Sequence, residues 1–270
     1  MSADRNHPDE ILTLKNLTVD FGGVRAVNTV SLSLRQGELI GLIGPNGAGK
    51  TTVFNLITNA IRATSGEISL NGKSILGKSP DQICRLGISR TFQNIRLFPQ
   101  MTAYENVELG LHSTPRYSIF EAFVRTPRAS RIEANTHKRA LELLEIVNLR
   151  EHARERASSL PYGLQRRLEI ARAMAASPQL LLLDEPAAGM NEDECKELVK
   201  LIRQIHTTMK YTTLMIEHHM AVVMDLCERI YVLSLGSLLT AGSPHEIQTN
   251  PQVIKAYLGE RKDARRITHS

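Results

Sequence analysis

The chain has 270 residues, 42% of them hydrophobic, and a formal net charge of +5. Length and apolar fraction suit one or two folded domains with a sizeable core and exclude a disordered chain. The mild positive charge is ordinary for a solvated surface, and the three scattered cysteines, Cys84, Cys195 and Cys227, show neither disulfide pairing nor metal-ligand spacing.

The chain opens on a polar stretch, MSADRNHPDE, without the apolar core of a signal peptide. ILTLKNLTV (11–19) alternates as a strand does and ends in a Phe21-Gly22-Gly23 turn. VSLSL (30–34) and ELIGLIG (38–44) read as further strands, the second apolar enough to be central in a sheet. A glycine-rich loop and the helix TTVFNLITNAI follow, then GEISLNG (66–72) as an edge strand and turn. From about Gln93 to Gly163 the apolar spacing becomes helical, most clearly in KRALELLEIVNL (138–149). The stretch 113–130 is irregular and broken by Pro115 and Pro127.

LPYGL then leads into the helix LQRRLEIARAMAAS, after which strands and helices alternate: LLLLD, DECKELVKLIRQIH, TTLMIE and a helix from about Met220. VLSLGSLLTAGSP (232–244) is hairpin-like, HEIQTNPQVIKAYLGE is a terminal helix pair, and RKDARRITHS (261–270) is a basic tail. The most apolar run, at Leu180–Leu183, reads as a buried strand, and no apolar stretch is long enough to span a bilayer, so a cytoplasmic protein is expected. The order implies an α/β fold, a mostly parallel sheet flanked by helices and interrupted by an inserted helical subdomain.

GPNGAGKT (44–51) fits G-x-x-x-x-G-K-S/T in the setting that motif requires, after a strand and before a helix. Its glycines let successive amides curl round a phosphate, and the helix N-terminus adds partial positive charge. Gly44, Asn46, Gly47, Ala48, Gly49 and Thr52 are read as that cradle. Lys50 reaches the outer phosphates, and the Thr51 hydroxyl is placed to ligate Mg²⁺.

LLLLDEP (180–186) delivers Asp184 to a strand end beside the loop, to hold the Mg²⁺ shell, and aims Glu185 at an attacking water as general base. Cations around Asp184 should keep it charged, which leaves Glu185 the better base. His218, at the end of the strand in TTLMIEHHM, emerges on the same face and can reach a terminal phosphate, whereas His219 reads as a surface residue. Gln93, in SRTFQNIRLF, stands where the core hands over to the helical insert. Its amide can ligate Mg²⁺ or hold the water while moving with that insert.

GPNGAGKTT, RTFQ, LLLLDEP and IEHHM, in this order, resemble the motifs of the ATP-binding subunits of ABC transporters, and the likeness runs over 11–260. The resemblance implies one ABC ATPase domain (1–270): a P-loop NTPase (RecA-like) core with an antiparallel β-subdomain over 1–92 and 166–260, and a helical subdomain over 93–165. It makes Phe21 the aromatic that stacks on adenine. LPYGL takes the place of the family's Leu-Ser-Gly-Gly-Gln signature, which faces the ATP of a second ATPase subunit packed head to tail. Leu160, Tyr162 and Gly163 then belong to that shared site, with the Gly163 amide and the helix dipole meeting the γ-phosphate. Pro161 replaces the signature serine and Leu164 its glutamine, so a hydrogen bond to phosphate is lost and weaker closure on ATP is expected. Asn191 replaces an aspartate and is expected to keep a hydrogen bond across the subunit interface.

RTFQNIRLFPQMTAYENV, the signature tyrosine, QRRLEIARA, DEPAAGMN and VIKAYLGE look like the branch serving branched-chain amino-acid uptake. The insert at 113–130 resembles that of the larger of its two ATPase subunits. Implied partners are a second ATPase subunit, two transmembrane permeases and an extracytoplasmic binding protein, with ATP and Mg²⁺ as cofactors and no nucleic acid. The implied location is the cytoplasmic face of the membrane. Ile95, Leu97 and Phe98 are expected to line a groove for a permease's cytoplasmic helix. Two alternatives stay open: the ATPase of a lipid or lipopolysaccharide exporter, and a soluble ABC-type ATPase acting on nucleic acid or ribosomes.

Overall fold

A computed structural model of the chain describes residues 9–111 and 127–258. The basic tail and most of the irregular 113–130 stretch lie outside the described residues. Two sheets organise the rest. The first is antiparallel, in the order β2 (Val24–Arg35), β1 (Glu10–Phe21), β4 (Ser65–Leu70), β5 (Lys73–Ser74). GEISLNG therefore supplies an inner strand rather than an edge, since the two-residue β5 pairs with its outer side.

The second sheet runs β10 (Ser237–Gly242), β9 (Arg229–Ser234), β3 (Leu39–Ile43), β8 (Thr212–Ile216), β7 (Leu180–Asp184), β6 (Ile88–Arg90). All its pairings are parallel except the β9–β10 hairpin. Parallel strands here are covered on both faces, which is why they read as unbroken apolar runs. Leu180 and Leu182 face the antiparallel sheet and helix α1 (Lys50–Ile57), while Leu181 and Leu183 face the helical layer. Each buried leucine stabilises the fold by about 1.5–3 kcal/mol.

That helical layer holds α3 (Ala103–Leu111), α4 (Pro127–Ile146), α5 (Tyr162–Ala175), α6 (Glu192–Met209) and α7 (Met220–Leu226). On α4 the buried positions Thr136, Ala140, Leu143 and Leu144 form one face. Short helices α2 (Pro80–Arg85) and α8 (Pro244–Thr249) each begin with a capping box, Ser79 with Gln82 and Ser243 with Glu246. A further helix, α9, covers 251–258. Helix α5 is continuous and packs on α3 and α4, so the boundary drawn at 165/166 falls inside it.

Candidate functional site

Strand β3 runs directly into the phosphate loop, and its glycines carry the backbone where side chains fit poorly. Gly44, Gly47 and Gly49 have φ of 151°, 74° and 98°. A Cβ on Gly49 would stand 2.7 Å from the Ala26 carbonyl oxygen, and one on Gly44 would overlap the Leu233 carbonyl. The Lys50 ammonium lies along the loop, donating to the Gly44 and Pro45 carbonyls at 2.7 and 2.8 Å. Asn46 and Thr51 are exposed, Thr52 is half-buried, and Ala48 is buried and offers only its backbone. Phe21 sits at the tip of the β1–β2 hairpin and is 49% exposed, a free aromatic face rather than a core residue.

The register of the parallel sheet brings the chemistry together. Asp184 pairs with Ile216 and Leu42 with Ile216, so β3, β7 and β8 all end at one level. Glu185, just beyond β7, has φ 48° and is anchored by its amide donating to the Ile216 carbonyl at 2.9 Å. Its Oε2 accepts from Gln93 Nε2 at 2.7 Å, and its Oε1 from His218 Nε2 at 2.6 Å. A carboxylate only accepts, so the ring proton is assigned to Nε2. The three residues chosen as catalytic thus meet at one carboxylate.

Asp184 is 2% exposed, and Arg90 Nη2 on β6 donates to its Oδ2 at 2.7 Å. Burial pushes the Asp184 carboxyl above its usual value, and the pull of the Arg90 guanidinium only partly opposes it. Arg90 is thus the cation that favours the charged form of Asp184, set against the cost of burial. Arg90 itself lies between the rings of Phe54 and Phe92 and donates to Asn55.

The signature loop is tied to its own chain. Leu160 is in the core, so its side chain cannot meet a phosphate, and its carbonyl accepts from Gln165 Nε2. Pro161 is the N-cap of α5 and supplies no capping side chain, which leaves the first-turn amides of Tyr162 and Gly163 uncapped. The Tyr162 hydroxyl donates to the Ala188 carbonyl at 2.9 Å and accepts from Arg166. Arg166, wholly buried, also donates to Glu169 and to the carbonyls of Phe92 and Gln93. Asn191 caps α6, its Oδ1 accepting from the Asp193 and Glu194 amides, so that oxygen is spent within the chain.

Comparisons with known proteins decide the family. The model for ABC transporters matches 27–188, and that for the branched-chain amino acid ATP-binding cassette transporter matches 237–263. The high-affinity branched-chain amino acid transport ATP-binding protein LivG of Salmonella typhimurium is 48% identical over 93% of this chain and 98% of its own. The chain belongs to the ABC transporter family of ATP-hydrolysing subunits. Solved relatives include the ADP conformation of an ATP-binding cassette, with a TM-score of 0.80 and 29% identity over 93% of this chain and 99% of that one. A dimeric cassette in a post-hydrolysis state, bound to ADP and phosphate, has a TM-score of 0.72 and 28% identity over 87% and 99%.

In this ABC ATPase the residues assigned to the metal, Thr51, Gln93 and Asp184, line one groove of about 880 Å³. A hydroxyl, an amide oxygen and a carboxylate are hard donors that suit Mg²⁺ completed by phosphate oxygens. The same groove continues past Phe92 to Phe98 and Arg172. Of Ile95, Leu97 and Phe98, expected to line a groove for a permease helix, Phe98 borders this groove and Leu97 packs on the core.

Sequence reasoning missed Glu217, which is 1% exposed. It accepts from the amides of Ala187, His218 and His219 at 2.8, 2.7 and 2.9 Å. It also missed Arg90, Arg166 and Glu169. The side chains of Arg166 and Glu169 are 0% and 1% exposed and bonded to each other at 2.8 Å. His219, read as a surface residue, is half-exposed but also starts α7 and leans its Nδ1 on Glu217.

Proposed function

We propose that this ABC ATPase is the larger ATPase subunit of an importer for branched-chain amino acids at the cytoplasmic face of the membrane. The observation that carries the hydrolytic role is the convergence of Gln93 and His218 on Glu185 beside the phosphate loop. The cargo rests on the near-full-length likeness to the Salmonella transport protein and on the matching C-terminal segment.

Phe21 stacks on adenine, and Gly44 to Thr52 cradle the phosphates around Lys50. Thr51, Gln93 and Asp184 hold Mg²⁺, which when bound neutralises charge developing on the phosphate oxygens. Glu185 takes the proton of the attacking water as the water oxygen bonds to the γ-phosphorus. The bond from that phosphorus to the bridging oxygen breaks, so that ADP leaves with the bonding pair. Gln93 and His218 grip the two carboxylate oxygens from opposite sides, so the base stays oriented while each oxygen keeps a lone pair for that proton. Gly163 faces the ATP of a second ATPase subunit, and the groove at Phe98 receives a helix of one of two permeases. An extracytoplasmic binding protein delivers the cargo.

Proteoliposomes carrying the assembled system should take up radiolabelled leucine when supplied with ATP, and Glu185→Gln should stop it. An assembly that hydrolyses ATP but moves none of leucine, isoleucine and valine overturns the cargo, including in favour of lipid or lipopolysaccharide export. One that never hydrolyses ATP overturns the enzymatic role.

A further inference from the structure

A ring of hydrogen bonds leaves Glu185 and returns to it. Glu185 Oε2 accepts from Gln93 Nε2 at 2.7 Å, and the Gln93 carbonyl accepts from Arg166 Nη2 at 2.8 Å. The second proton of that nitrogen goes to the Tyr162 hydroxyl at 3.0 Å. The hydroxyl donates to the Ala188 carbonyl at 2.9 Å, and the Ala188 amide donates back to the Glu185 carbonyl at 3.1 Å. Every donor is used once and no acceptor is overfilled, so the whole ring can form at the same time.

We propose that Tyr162 is a positioning residue for Glu185, acting through Ala188 and Arg166, and not a contact to nucleotide. The proposal rests on reading Glu185 as the general base. The hydroxyl has a single proton, and the Ala188 carbonyl holds it. Its anchor is rigid, because Arg166 is wholly buried and fixed by Glu169 at 2.8 Å and by the Phe92 carbonyl at 2.7 Å. The tyrosine ring lies over Gly189, where a Cβ would stand 3.5 Å from it, so the ring rests on the loop beyond Ala188.

Glu185 needs such support. Its backbone sits at φ 48°, in the left-handed region that a glutamate leaves readily unless its surroundings hold it. The Tyr162 hydroxyl braces the loop that follows Glu185 against the turn that carries Gln93. Without it, the Gln93–Glu185 contact loses its outer support while the phosphate loop is untouched.

Tyr162→Phe deletes the hydroxyl and keeps the ring over Gly189. Steady-state ATP hydrolysis is measured on the full chain with its partner subunits, alongside Glu185→Gln. The kcat of Tyr162→Phe should fall about three- to tenfold, the worth of one or two ordinary hydrogen bonds, with KM for ATP within about twofold. Nucleotide affinity in the Glu185→Gln background should not change when Tyr162→Phe is added. A raised KM with kcat intact makes the hydroxyl a nucleotide contact and overturns the proposal, as does an unchanged kcat. If Glu185→Gln hydrolyses ATP as fast as the natural chain, the general-base reading fails first and the proposal goes with it.

Discussion

His218 Nε2 donates to Glu185 Oε1 across 2.6 Å, joining the ends of two adjacent parallel strands. Replacing Glu185 with glutamine keeps the size of the side chain and removes its ability to take a proton. Turnover should fall by about 10²–10⁴ while Mg-ATP still binds. Phosphate release together with equilibrium nucleotide binding checks both halves.

Arg90 and Asp184 form a buried pair, with side chains 9% and 3% exposed. Arg90→Ala leaves a carboxylate in the interior without its counter-cation. Such a loss costs about 3–5 kcal/mol, and chemical denaturation should show it as a lowered midpoint at an unchanged slope.

Asn106 is wholly buried and pins the turn that carries Phe98. Its Oδ1 accepts from the Phe98 amide at 2.9 Å, and its Nδ2 donates to the Phe98 and Thr102 carbonyls at 3.1 and 3.0 Å. Asn106→Ala strands those backbone groups at a cost of about 1–3 kcal/mol. Because Phe98 lines the proposed permease groove, leucine uptake should drop more than ATP hydrolysis in that variant.

Pro161 starts α5 without a capping side chain, whereas Ser79 and Ser243 accept amide hydrogen bonds at the starts of α2 and α8. Pro161→Ser should raise stability by about 0.5–2 kcal/mol in thermal melts. It should also tighten ATP-driven pairing with the second ATPase subunit, measured by sedimentation. Unchanged pairing would sink the idea that the proline weakens closure.

Burial pushes the Cys227 thiol from 9.0 up to about 12. A group whose folded value is raised lends stability that is complete below its unfolded value and disappears as pH climbs through the folded one. Stability should therefore decline between about pH 9 and 12, as the unfolded chain gives up a proton that the folded chain keeps. Urea midpoints across that range should flatten in Cys227→Ala. Near pH 8 a thiol reagent should reach Cys227 only after unfolding.

Much of the fold was legible because its central strands are covered on both sides. LIGLI, LLLLD and TTLMI read as interior strands and are wholly buried, and their registers bring their C-terminal ends to one level. Strand β6 was not legible, since three residues show no alternation and pairing with β7 alone defines it. Yet it carries Arg90 and aims Gln93. The capping boxes at Ser79 and Ser243 were written in the sequence as Ser-Pro followed by Gln or Glu at the third helical position. The burial of Arg166, Glu169 and Glu217 had no such signal, because charge on a helix face or a strand end points outward until tertiary packing closes over it.

Glu217 gathers the amides behind Glu185 and His218 onto one carboxylate, so the two strand ends form a single stiff floor. In the proposed importer that floor stays fixed, and the turn from Phe92 to Phe98 is where motion would pass to a permease. A small molecule wedged there would stall the motor while ATP capture continued, which separates fuel intake from mechanical output by place.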